Sequence, residues 1–229
     1  MNAGKREDIL GRVREALRVP SRRQHAGHDA APALVGPVQQ RAWLPAVSPD
    51  AKSQLALFEK NCTQLRTDIQ LVAGAEEAVR TLLNLRNVYQ WTAVAAHHHH
   101  LLDQIVPSIG LETRYMEEHP GSQSLESCSV GITACDALIA QTGSILLTAR
   151  SAGGRALSVL PPHHVVVAQA NQLVPDLPAA FELLQTKYRD HYPSFITFIT
   201  GPSRTGDIER ILVLGAHGPR VLTLILLPD

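Results

Sequence analysis

Between residues 69 and 115 short apolar runs alternate with helical periodicity, and that alternation constrains the fold more than any other feature of the chain. Runs at 69–73, 89–95 and 111–115 have the length and character of strands. A helical pattern at 75–87 and a shorter one at about 100–105 separate them. Adjacent parallel strands need a crossover connection, usually helical, so this order predicts a parallel sheet with helices packed on it. Ser48-Pro49-Asp50 predicts a further helix, capped by Ser48 with Pro49 in its first position, whose apolar face carries Leu55, Phe58, Cys62 and Leu65.

After a polar loop at 117–127 the pattern shortens. Residues 131–133, 136–140 and 144–148 read as β-like pieces, the last two joined by Gln141-Thr142-Gly143 as a hairpin beside the parallel sheet. A flexible turn at 151–155, a buried strand at 164–168 and a helix at 175–187 follow, and apolar runs at 194–200 and 221–227 supply two closing strands. Upstream, residues 5–18 have the spacing of a short amphipathic helix, and 19–47, rich in Pro, Ala, Gly, Gln and His, have no sustained period. The expected organisation is an N-terminal helix and extended arm over 1–47 and an α/β domain over 48–229.

Composition narrows the function. With 229 residues and 45% hydrophobic content the chain can bury a sizeable core, but only 4% of residues are aromatic, so that core is aliphatic. Rows of exposed aromatics, the platforms on which single-stranded nucleic acids stack, are lacking. The formal charge balances at +0 with 21 basic and 21 acidic residues, whereas a phosphate-backbone partner demands a basic excess. No nucleic-acid partner is expected. Three cysteines in no disulfide-framework spacing point to a reducing, cytoplasmic setting. No stretch approaches the roughly 20 apolar residues of a membrane span, and the first ten residues lack the apolar core of a secretory signal.

The densest run of unusual residues is Gly201-Pro202-Ser203-Arg204-Thr205-Gly206-Asp207-Ile208-Glu209, with Gly215-Ala216-His217-Gly218-Pro219 close behind. A strand emptying into a glycine-rich turn and a helix start is how an α/β sheet presents a small-molecule site, in the crevice outside the carboxyl ends of its strands. The planar fork of Arg204 suits a carboxylate or phosphate, with Ser203, Thr205 and amides near Gly206 as further donors. Alternatively Asp207 and Glu209 pair with Arg204 and the turn is structural. His217, between glycines, can shuttle a proton or donate to an oxyanion; equally it can bond a carbonyl and fix the loop. Thr142 and Gly143 offer polar recognition at a tight turn that a hairpin alone also explains. Asp136 is either a general base or the holder of backbone amides in its own turn. Consecutive histidines at 97–100 cannot all face one ion, so no metal site and no cofactor are expected.

Gly131-Ile132-Thr133 through Asp136, Ile139-Ala140-Gln141-Thr142-Gly143-Ser144, Leu160-Pro161-Pro162-His163-His164 and the two C-terminal blocks resemble the signature blocks of the LUD-domain family, in its lactate-utilisation protein C branch. The resemblance implies a three-layer α/β sandwich with a mostly parallel sheet, similar to the glucosamine-phosphate deaminase, ribose-phosphate isomerase and CoA transferase fold. It implies a role beside iron–sulfur companion proteins in oxidising L-lactate to pyruvate. On that reading Arg204, Ser203, Thr205, Asp207, Thr142 and Gly143 bind a small carboxylate or phosphorylated ligand and His217 and Asp136 handle protons, in a chain that can also form a homo-oligomer. Where the family usually has an acidic residue before Thr-Gly, Gln141 stands here. The alternatives are a free-standing isomerase or transferase on sugar phosphates or CoA esters, and a scaffold with a vestigial pocket.

Overall fold

The computed structural model describes residues 47–118, 125–205, 213–214 and 218–229, together with Gly11, Arg12, Arg14, Glu15 and Leu44. The chain divides into two compact units, Met1–Ala42 and Trp43–Asp229. In chain order the elements of the second are α1 (Ala51–Leu65), β1 (Asp68–Leu71), α2 (Ala75–Tyr89), β2 (Ala93–Ala96), β3 (Glu112–Tyr115), β4 (Val130–Thr133), β5 (Ala137–Ile139), β6 (Ser144–Thr148), β7 (His163–Gln169), β8 (Leu173–Val174), α3 (Leu177–Tyr188), β9 (Ile196–Ile199), β10 (Arg204–Thr205), β11 (Val213–Leu214) and β12 (Val221–Leu227).

Six of these strands form one sheet in the order β1-β12-β7-β4-β2-β3, and every neighbouring pair is parallel. Side-chain alternation along the central strands sends opposite sets of residues to its two faces. Val165, Val167 and Ile225 pack with Ala78, Leu82 and Leu85 of α2 and with the 3-10 turn Val106–Ile109. Val166, Ala168, Leu222 and Leu224 face the other way, onto Phe58 and Cys62 of α1 and onto Leu138, Ile145 and Leu147 of a second sheet. That sheet has the order β8-β5-β6-β9, and α3 covers its outer side through Ala180, Leu184 and Tyr188. The result is the expected α/β sandwich with a mostly parallel sheet, its third layer a mixture of helix and small sheet. No helix among the described residues is long and apolar enough to cross a membrane.

Several local expectations shift. The cap of α1 is Asp50, whose carboxylate accepts from the Ser53 amide at 2.8 Å, and Ser48 bonds the Asp50 amide instead. A carboxylate at this position also meets the positive end of the helix dipole. Tyr89 ends α2 rather than opening a strand, and Gln90 terminates that helix in the left-handed region at φ 52°. The strand expected at 89–95 is therefore shorter and starts at Ala93. The β5–β6 hairpin forms beside the parallel sheet as expected, with Ile139 opposite Ser144, and is part of a second sheet of its own. Residues 196–199 likewise pair antiparallel with β6, so the strand that leads into Gly201 does not belong to the parallel sheet.

Candidate functional site

Two of the singled-out blocks meet at the C-terminal end of α1. The last carbonyls of a helix lack intrahelical donors, and that of Leu65 is bonded by Nη2 of Arg204. This sets a guanidinium at the negative end of the helix dipole. Gly201 lies against the same carbonyl: at φ 85° a Cβ there would stand 2.7 Å from the Leu65 oxygen. Gly143, at φ 64°, presses on the same turn of helix, where a Cβ would stand 2.8 Å from the Asn61 Cβ and 3.0 Å from Leu65 Cδ1. Asn61 Nδ2 donates to the carbonyls of Ala140 and Gln141 at 2.9 and 3.1 Å, clamping the turn onto α1. Hydroxyls complete the junction: Thr142 donates to Ser144 at 2.8 Å, and Ser144 and Thr200 are hydrogen-bonded at 2.8 Å.

Beside this junction a cavity of about 260 Å³ lies between the two sheets. Residues 200–203 form one wall, Gly218 and Pro219 another, and Phe195, Ile199, Val159, Leu222 and His164 contribute much of the remainder. The Ser203 amide donates to the Pro219 carbonyl at 2.9 Å, tying the two walls together. His164 and Leu222 stand opposite each other near the starts of β7 and β12. The cavity therefore opens at the amino ends of these parallel strands, not at the carboxyl ends where a site was expected. His164 is buried; its Nε2 is bonded to the Thr133 hydroxyl at 2.9 Å, and Nδ1 has no partner among the described residues. Burial, with His163 adding to it, lowers its pKa to about 3, so the ring is neutral.

Of the expected site residues, Ser203 lines the cavity, Arg204 is exposed beside it, and Thr142 and Gly143 share the α1 junction. Arg204 and Thr205 are extended and pair antiparallel with Leu214 and Val213, and Arg204 bonds the C-terminus of α1; the helix start expected at 206–209 lies outside the described residues. Asp207 and His217 lie outside the described residues.

Asp136 belongs to a different constellation. Within the parallel sheet the chain leaves β2 toward β3 and leaves β4 toward β7, in opposite directions, so a topological switch point falls between β2 and β4. The carboxyl ends of two such strands leave a crevice between them. His97 fills it from the end of β2, its Nε2 accepting from the Ala134 amide at 3.4 Å. Asp136 follows β4, and its Oδ1 accepts from Lys187 Nζ and from the Tyr188 hydroxyl, both at 2.6 Å. Burial pushes this carboxyl up, but hydrogen bonds involving Lys187, Ser151 and Tyr188, together with the Lys187 charge, outweigh burial and hold it below the ordinary carboxylate range. Lys187 is correspondingly raised by Asp136 against its own partial burial. Along the histidine run, His98 is bonded to Asp103 at 3.0 Å and stacks on Tyr115, while burial lowers His99 to about 4. Among the described residues no three His, Cys, Asp or Glu side chains are grouped to hold a metal ion.

Sequence reasoning missed Asn61, Thr200, Lys187 and Tyr188. Thr200 is the polar end of an apolar run that meets a glycine turn, which is a usable signal. Lys187 and Tyr188 close an ordinary helical pattern, and nothing local pairs them with Asp136.

The fold is that of a solved structure, a DUF162 family protein from Deinococcus radiodurans, with a TM-score of 0.62 over 79% of this chain and 99% of that one at 23% identity. The sequence matches the LUD domain over residues 55–227, and the chain belongs to the LUD domain family. Its curated relatives include lactate utilization protein C of Halalkalibacterium halodurans, 30% identical over 186 residues that span 76% of this chain and 78% of that one. Lactate utilization protein C of an Exiguobacterium species is 26% identical over the whole length of both chains.

Proposed function

We propose that this protein serves lactate utilisation as a component without a redox centre of its own, beside iron–sulfur companions that carry the electrons when L-lactate becomes pyruvate, and that it holds a small carboxylate at the α1 junction. The observation that carries the reading is the convergence of Arg204, Thr142-Gly143, Ser144 and Thr200-Gly201 on the last turn of α1, at the wall of a cavity. An exposed guanidinium keeps donors to spare after bonding one carbonyl, and two of them in parallel match a carboxylate. Ser203 and Thr205 flank Arg204 in sequence and add hydroxyls, and His217, in the neighbouring block, handles a proton. The relatives' name supplies the lactate. The cysteines fit the absence of a cluster: Cys62, Cys128 and Cys135 are buried, burial pushes the Cys62 thiol up to about 12, and the other two also rise. Cluster ligands are thiolates.

Asp136, neutralised by Lys187 and away from the cavity lining, acts in this reading as the anchor of α3 to the β4–β5 turn. The test is thermal shift with L-lactate, pyruvate, phosphate, a sugar phosphate and CoA on the wild type and Arg204→Ala. Stabilisation by lactate or pyruvate that the variant loses is expected. A response to the sugar phosphate or CoA alone would move the protein to the isomerase or transferase class, and no response to any ligand would favour a scaffold.

A further inference from the structure

The cavity is larger than the carboxylate its neighbour would hold. A cavity of ~150 Å³ lined by aliphatic and aromatic groups accepts benzene, and this one is about 260 Å³. Its walls are unlike the surroundings of a small hydroxy acid. None of the described lining residues carries a formal charge, since His164 is held neutral by burial, and Phe195, Ile199, Val159 and Leu222 give it a mainly apolar surface. Lactate placed on Arg204 would put only a methyl group toward this space. The charge stands at the rim: Arg204 bonds the Leu65 carbonyl, and Gly201, part of the cavity wall, abuts that same oxygen. Rim cation, hydroxyl-bearing wall and apolar interior form one path from Arg204 through Ser203 inward.

We propose that the ligand is a 2-hydroxy or 2-oxo carboxylate with a bulky apolar side chain, aryl or branched alkyl, whose carboxylate rests on Arg204 and whose side chain occupies the cavity between the sheets. The inference rests on the carboxylate reading above and sharpens it from lactate itself to a larger homologue. Moving an aryl group from water into the cavity adds apolar burial that lactate cannot supply.

Isothermal titration of the full chain with L-phenyllactate and with L-lactate tests it, in the wild type and in Val159→Trp and Thr197→Trp, which fill the cavity from different walls. The expected result is phenyllactate binding at least about tenfold tighter than lactate. Both tryptophan variants should lose that advantage and still bind lactate as the wild type does. Lactate binding as tightly as phenyllactate would overturn the inference and leave the carboxylate site standing. Phenyllactate binding undiminished in both folded variants would overturn it too, by placing the ring elsewhere. Binding of neither acid would overturn the inference and the carboxylate reading together.

Discussion

Gly143 and Gly201 do the same job from different parts of the chain: each brings backbone within van der Waals reach of α1's last turn, in a conformation other residues adopt at a cost. Replacing Gly143 by Ala combines a positive φ with a Cβ pressed on Asn61 and Leu65. A loss of about 2 kcal/mol of stability is expected from strain of this kind. Urea denaturation of Gly143→Ala checks it, and a variant as stable as the wild type would show that the turn does not depend on α1. At this scale the sequence was a good guide to which residues are unusual and a poor guide to their partners. Arg204, Thr142 and Gly143 stood out as residue types in a pattern. That Arg204 meets a helix C-terminus, or that Asp136 is spoken for by Lys187 and Tyr188, depends on contacts made across the fold that leave no local trace.

The element that concentrates buried polar chemistry is β7. His163 opens it, accepting from Trp91 Nε1 at 3.3 Å and donating through Nε2 to the Thr223 hydroxyl at 3.0 Å, since an indole can only donate. Thr223 passes its own proton toward Asp68 at 3.2 Å. His164 faces the opposite side of the sheet. Burial lowers both rings below their ordinary 6.5, to about 4 for His163 and about 3 for His164. The folded strand keeps them neutral while the unfolded chain takes up protons below pH 6.5, so the unfolded state binds more protons and stability falls on acidification. The loss runs from about pH 6.5 down through the folded values and is absent above it. Urea midpoints should therefore drop between neutral pH and pH about 4.5, less steeply in His163→Gln; a flat profile over that range would contradict the burial of these rings. The strands themselves were largely legible, because buried parallel strands are short apolar runs and α2 repeats at helical spacing. The second sheet was not: β5, β6 and β9 have the same apolar character as the parallel strands, and composition does not say which sheet a run will join.

In the whole molecule the two ends of the parallel sheet differ. At the carboxyl ends of β2 and β4 the switch-point crevice is occupied by His97 and closed by the Asp136–Lys187–Tyr188 cluster. At the amino ends of β7 and β12 the second sheet stands off far enough to leave a cavity, with Arg204 at its rim. The expected fold class survived this comparison and the expected end of the sheet did not. The difference has a physical source: a site outside the carboxyl ends of the parallel strands needs the strand before Gly201 to run in their sheet, whereas residues 196–199 pair antiparallel with β6. The central claim is that Arg204 holds a carboxylate there. Its most direct test is a titration with carboxyl-labelled L-lactate, following the carboxylate resonance in the wild type and in Arg204→Ala. A saturable shift in the wild type that the folded variant lacks is the predicted result; no saturable shift in the wild type, or the same shift in both, would contradict it.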